Sequence, residues 1–190
     1  MSEPGGPPEL TGEDRRQLLA IARQAVAAHL SRARFAPPEG LTGAAASKRA
    51  AFVTLRRRAD GELRGCIGTL EPRDESLADV VARIAVAAAT QDARFAPVSA
   101  EELPSLAIEI SVLTAPTPID PARVEPGRHG LIVRHAGCGG LLLPQVATEH
   151  DWDRETFLGY TCRKAGLPPD AWKDPAALVL AFTAIVFGDE

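Results

Sequence analysis

The part of this sequence best suited to chemistry is Leu63-Arg64-Gly65-Cys66-Ile67-Gly68-Thr69. In a β-strand, residues two apart share a face, which puts Arg64 and Cys66 on one side with Cα atoms about 6–7 Å apart. A guanidinium beside a thiol favours the thiolate, the nucleophilic and metal-binding form. Cys66 is therefore the candidate nucleophile or redox thiol. Gly65 and Gly68 weaken a strand, and their presence marks backbone that another group must approach closely. With Arg64 they form a candidate substrate-binding surface. The competing reading is a free cysteine packed into a tight hairpin, because cysteine is among the most buried residue types.

Other chemistry-bearing residues give weaker signals. Gln145 and Glu149 are four apart and share a face if Pro144 opens a helix. A solvated helix face would show the same spacing. Cys162 stands on the apolar side of a helix with Leu158 and Ala165, the place of a core thiol. Cys138 lies in a glycine-rich stretch and reads as turn filler. His135 and Cys138 together are two candidate ligands, short of a metal site, and no Cys-x-x-Cys or His-Glu-x-x-His set occurs, so no metal is expected. No phosphate loop, dinucleotide fingerprint or nucleophile elbow appears, and no cofactor is implied.

The elements that must position these residues follow from periodicity and turn chemistry. Residues 1–10 read as a disordered tail, and residues 11–190 as one domain. Thr11 and Asp14 form a capping box ahead of a helix striped with Leu18, Ala22, Ala25, Val26 and Leu30. Ala51–Arg58 and Leu63–Leu70 flank Asp60-Gly61, a two-residue hairpin turn that sets Cys66 opposite Leu55 and Arg64 opposite Arg57. Ser76 and Asp79 cap a second helix ending near Gln91, and the Ser99–Glu102 pattern marks a short turn or helix. Leu106–Leu113 is a strand. Leu131–Val133 and Leu141–Leu143 bracket a second hairpin whose loop runs from His135 to Gly140. Asp151 or Asp153 caps a helix running to Ala165, with Gly166 as its C′ residue and Pro168-Pro169 beyond. Leu178–Phe187 reads as one final buried strand. Adjacent strands mixed with isolated helices, without βαβ alternation, imply an α+β fold with a mainly antiparallel sheet and flanking helices.

Composition narrows the function classes. The chain of 190 residues is 45% hydrophobic and 24% charged, with net charge −4, so no global positive field draws in nucleic acid or an acidic membrane. The run Arg56-Arg57-Arg58 reads as an exposed strand end. The longest apolar stretch covers Ala176 to Phe187, short of the roughly 20 residues a membrane helix needs. The N-terminus lacks the basic-then-apolar order of a signal peptide. Three widely spaced cysteines suit reduced thiols better than a disulfide framework, and the expected compartment is the cytoplasm.

Several segments occur together in a telling order: Leu63-Arg-Gly-Cys-Ile-Gly-Thr69, Asp92-Ala-Arg-Phe95, Glu109-Ile-Ser-Val-Leu113 and Gly140-Leu-Leu-Leu-Pro-Gln-Val-Ala147. They lead on through Glu149, Trp152, Phe157-Leu158, Cys162, Lys164-Ala-Gly-Leu167 and Trp172. The set resembles the AMMECR domain family, in particular its AmmeMemoRadiSam system protein A group, over nearly the whole chain. The resemblance implies a larger and a smaller lobe with a cleft between them that holds the Leu-Arg-Gly-Cys-Ile-Gly segment. It also implies association with Memo-like and radical S-adenosylmethionine proteins. It carries no settled activity. In that context Cys66 is the candidate functional thiol and Arg64 would bind an anionic group or hold the thiolate. Gln145 and Glu149 would be polar cleft residues, Glu149 as a candidate acid or base. Cys162 would be either a second, resolving thiol or core. Ala93 and Ala96 depart from the family, where proline is common. Two functions stay open. One is a thiol-dependent enzyme, or enzyme component, acting on a small molecule. The other is a non-catalytic binding or adaptor module for a metabolite, a peptide or the partner proteins.

Overall fold

The computed structural model describes residues 9–70 and 74–189. Its chain divides into two compact units, Met1–Val112 with Ile185–Glu190, and Leu113–Ala184. Residues 1–8 of the expected tail lie outside the described residues. Leu10, assigned with them, is buried at 3% exposure in the first core.

In the first unit, helix α1 (Gly12–Leu30) opens with the expected capping box between Thr11 and Asp14. Its apolar stripe, Leu18, Ile21, Ala22, Ala25 and Val26, is buried and packs on α2 (Leu77–Thr90). Helix α2 is capped by the Ser76 side chain, which accepts the Asp79 amide, and lies against β1 (Ala51–Arg57) and β2 (Leu63–Gly68). These strands, with β3 (Leu106–Leu113) and the later β8 (Ala184–Gly188), form a sheet in the order β2-β1-β3-β8. Strand β1 is antiparallel to both β2 and β3.

The first hairpin corrects the expected register. Only Gly61 takes a positive φ, of 72°, and the Arg57 amide closes on the Glu62 carbonyl at 2.9 Å. The loop is thus Arg58–Gly61, longer than a two-residue turn. Asp60 stabilises it by accepting the Glu62 amide at 2.9 Å. The ladder then slips at Leu55/Arg56: Leu55 faces Gly65, Arg56 faces Leu63, and Arg64 is the extra residue. Cys66 consequently stands opposite Thr54 instead of Leu55. A bulge of this kind moves every later pairing by one and carries no strong sequence mark.

The second unit has its own sheet, β4-β7-β5-β6, built from β4 (Thr117–Pro118), β5 (Gly130–His135), β6 (Cys138–Leu142) and β7 (Leu178–Phe182). The β5–β6 loop shrinks from the expected six residues to two, Ala136 and Gly137, both at positive φ. Gly139 and Gly140 belong to the strand. A Cβ on Gly140 would lie 2.3 Å from the Ala165 backbone nitrogen, so helix packing accounts for that glycine. Helix α3 (Pro144–Glu149) begins at the proline, which meets the condition for Gln145 and Glu149 to share a face. Helix α4 (Arg154–Lys164) is capped by Asp153. It ends in a Schellman motif, with Gly166 donating to Arg163 and Leu167 to Cys162. Phe157, Leu158 and Cys162 of α4 fill a core with Leu131, Val133 and Val179.

The expected single strand over 178–187 is two strands in two sheets. Thr183 interrupts it: its amide donates to the Thr114 hydroxyl at 2.8 Å, and its carbonyl accepts the Thr114 amide at 2.9 Å. A side-chain hydroxyl here competes with the ladder, at a residue whose strand propensity hides the break.

Candidate functional site

Cys66 is partly exposed on β2. Because it pairs with Thr54, the buried Thr54 hydroxyl donates to its sulfur at 3.4 Å. The Cys66 amide donates to Asp92 Oδ2 at 2.9 Å. Asp92 follows the C-cap of α2, Gln91, and is 8% exposed. Its Oδ2 also accepts Arg94 Nη2 at 2.7 Å, and its Oδ1 accepts Arg94 Nε at 2.9 Å. One carboxylate oxygen therefore joins the cysteine backbone to a guanidinium. These bonds, the Arg94 side chain foremost, hold the Asp92 carboxyl well below the usual carboxylate range despite its burial. Arg94 is raised in turn, first by its hydrogen bonds to Asp92, then by the charges of Asp92 and Cys66, against the opposing effect of burial. Its side chain remains 57% exposed.

Arg64 is engaged elsewhere. Its Nε and Nη2 meet Glu102 at 2.6 and 3.1 Å, a two-point contact that fixes the guanidinium plane. Phe95 receives both cations, with Arg64 Cζ 5.9 Å and Arg94 Cζ 5.4 Å from its ring centroid. The cation coupled to Cys66 is Arg94, whereas the sequence pointed to Arg64. Thr54, Asp92, Arg94, Phe95 and Glu102 were the residues missed. Asp92-Ala-Arg-Phe95 contains a local acid–base pair two apart, which is a readable signal. Its reach back to Cys66 across 26 positions is not.

The two glycines are accounted for by neighbours within the protein. A Cβ on Gly65 would lie 2.2 Å from the Ala88 carbonyl oxygen of α2, and one on Gly68 would lie 2.1 Å from the Phe52 ring across the ladder. The close approach inferred from these glycines is thus made by α2 and by Phe52.

The remaining expected site residues lie in the second unit. Gln145 and Glu149 are both on α3 and both exposed. Cys162 has no exposed surface, and burial pushes its thiol upward, partly offset by a hydrogen bond from the Trp172 backbone. That placement makes it a core residue, and the resolving-thiol role does not fit it. Cys138 is exposed at the first position of β6, opposite His135. Among the described residues no group of three or more His, Cys, Asp or Glu is placed to hold a metal ion, and no helix is long and apolar enough to cross a membrane.

Two antiparallel sheets with packed helices, and a partly exposed cysteine braced by an aspartate–arginine pair, define an α+β protein with a thiol-centred cluster on a strand. Residues 19–187 match the AMMECR1 family, and the chain belongs to it. A protein of Methanothermobacter thermautotrophicus is 43% identical, covering 95% of this chain and 97% of the relative. One of Thermococcus gammatolerans is 45% identical, covering 91% and 89%. The crystal structure of an uncharacterized protein from Pyrococcus horikoshii matches with a TM-score of 0.82 at 40% identity, covering 95% of this chain and 93% of that one.

Proposed function

We propose that this protein is a thiol-dependent enzyme, or the thiol-bearing component of one, which acts on a small molecule bound around Cys66 in a reducing cytoplasm. The observation that carries this reading is the bracing of a partly exposed cysteine. Its amide is held by Asp92, its sulfur receives the Thr54 hydroxyl, and Arg94 is locked beside it by the same carboxylate. A nucleophile held in one orientation next to a fixed cation is the arrangement that covalent catalysis needs. Arg94 takes over the anion-binding role that the sequence assigned to Arg64.

The test is alkylation of the folded, reduced protein, read at each cysteine by mass spectrometry. Cys66 should react in the native state faster than Cys162, and Cys66→Ser should preserve the fold. A Cys66 that stays unmodified until the protein unfolds would sink the proposal.

One observation favours a second reading, a binding or adaptor module for Memo-like and radical S-adenosylmethionine partners. Among the described residues, the Cys66 sulfur has a hydroxyl as its hydrogen-bond partner and no imidazole or carboxylate, and both nearby arginines are already paired with acids. Co-purification with such partners that survives Cys66→Ala, together with an inert thiol, would support this reading over the first.

A further inference from the structure

The second unit contains a cavity of about 620 Å³, within the range of roughly 300–1,000 Å³ typical of small-molecule sites. Its charged lining is three arginines, Arg123, Arg128 and Arg154, against two acids, Asp120 and Glu125. Glu125 is paired with an arginine of the same lining, whereas Asp120 has one oxygen bonded to backbone. Asp120 Oδ1 accepts the Ala122 amide at 2.9 Å. Glu125 accepts Arg128 Nη1 at 3.2 and 3.0 Å, and this contact, first among several, lowers its carboxyl.

The donors are not balanced in the same way. Arg154 spends Nη1 on the Ala122 carbonyl at 2.8 Å, which leaves the rest of its fork available. The Arg123 side chain makes no hydrogen bond or ion pair with a described residue, although its charge acts with that of Arg128 in lowering Glu125. His129 Nδ1 accepts the Glu125 amide at 3.0 Å. The neutral ring therefore carries its proton on Nε2, another donor. The Thr114 and Thr183 hydroxyls also line the cavity, and Ile119 and Val124 give it an apolar part. A concave site whose arginines outnumber its carboxylates is complementary to an anion.

We propose that this cavity binds a small organic anion, a carboxylate or a phosphate monoester. Arg123 and Arg154 hold its charged head, and its carbon skeleton lies against Ile119 and Val124. The site does not rest on the Cys66 reading, because all its lining residues belong to the second unit.

The test is an NMR titration of the full chain with glycerol 3-phosphate, with glycerate, and with uncharged glycerol. The expected result is saturable shifts confined to residues 114–129, 154 and 181–183 for at least one anion, and none for glycerol. Preference between the two anions identifies the head group. Arg123→Gln and Arg154→Gln should each weaken binding by about tenfold, the effect of one lost charge-assisted hydrogen bond. Arg123→Gln removes no side-chain hydrogen bond or ion pair to a described residue, so its spectrum should otherwise stay native. Failure of both anions to saturate, or affinities unchanged in both variants, would overturn the proposal.

Discussion

A carboxylate shared between a backbone amide and a guanidinium does two jobs at once, and Asp92 shows both. It fixes the peptide of Cys66 and it holds Arg94 next to it. Because its folded carboxyl is lowered, Asp92 contributes stability above the unfolded value, about 3.9. That stability is lost as pH falls through the lower folded value. Asp92→Asn should therefore cost about 1–3 kcal/mol near neutrality, through weakened charge-assisted hydrogen bonds. The difference from wild type should shrink as pH falls below about 4, read by urea unfolding across pH. A constant difference at all pH values would contradict this linkage. Arg94 offers a second test. If its half-exposed guanidinium attracts anions to the thiol, Arg94→Gln should slow alkylation by anionic iodoacetate more than by neutral iodoacetamide. A severalfold fall in that ratio is expected, and an unchanged ratio would leave Arg94 as a brace alone. The sequence marked Cys66 because a thiol in a Gly-flanked strand is locally visible. It did not mark Arg94 or the pairing of Arg64 with Glu102, 38 positions away, because the bulge at Arg64 and both contacts are set by tertiary geometry.

The same device recurs in both sheets at the level of strands: a glycine lies under a cross-strand phenylalanine, Gly68 with Phe52 and Gly130 with Phe182. Gly65 serves a helix instead, giving α2 room at the Ala88 carbonyl. Gly65→Ala should thus cost about 1–3 kcal/mol or more by overpacking against backbone that cannot rotate away. Gly137→Ala is an instructive contrast. Nothing lies within 4 Å of its Cβ position, but its φ is 79°, so it should cost about 1–2 kcal/mol from backbone conformation alone. Denaturant midpoints for the two variants check both values, and equal disorder of α2 in both would refute the packing account. Capping was legible for α1, α2 and α4, and the start of α3 at Pro144, because each depends on residues within four positions. The hairpin register and the break at Thr183 were not, since both depend on partners far along the chain.

Among the described residues, burial is divided between two clusters: one built around Leu18, Leu55, Ile84 and Ile110, the other around Leu131, Phe157, Leu158 and Cys162. The chain passes from the first unit to the second after Val112 and returns at Ile185. Composition predicted enough apolar residues for a sizeable interior, but nothing in a hydropathy pattern says that strand residues 178–182 and 184–188 serve different sheets. The division makes stability a regional property. A truncation in one cluster removes contacts that close within its own unit, so its effect should be read there first. Leu158 is fully buried in the second cluster, and Leu158→Ala should cost about 2–5 kcal/mol. Native-state hydrogen exchange followed peptide by peptide should show the loss of protection concentrated in 113–184, with β1 and α2 largely unchanged. Cys66 alkylation should then proceed at its wild-type rate, because its bracing residues, Thr54, Asp92 and Arg94, all lie in the first unit. Equal loss of protection in both units would instead mean that the two cores unfold as one cooperative body, and the reactivity of Cys66 would rise with it.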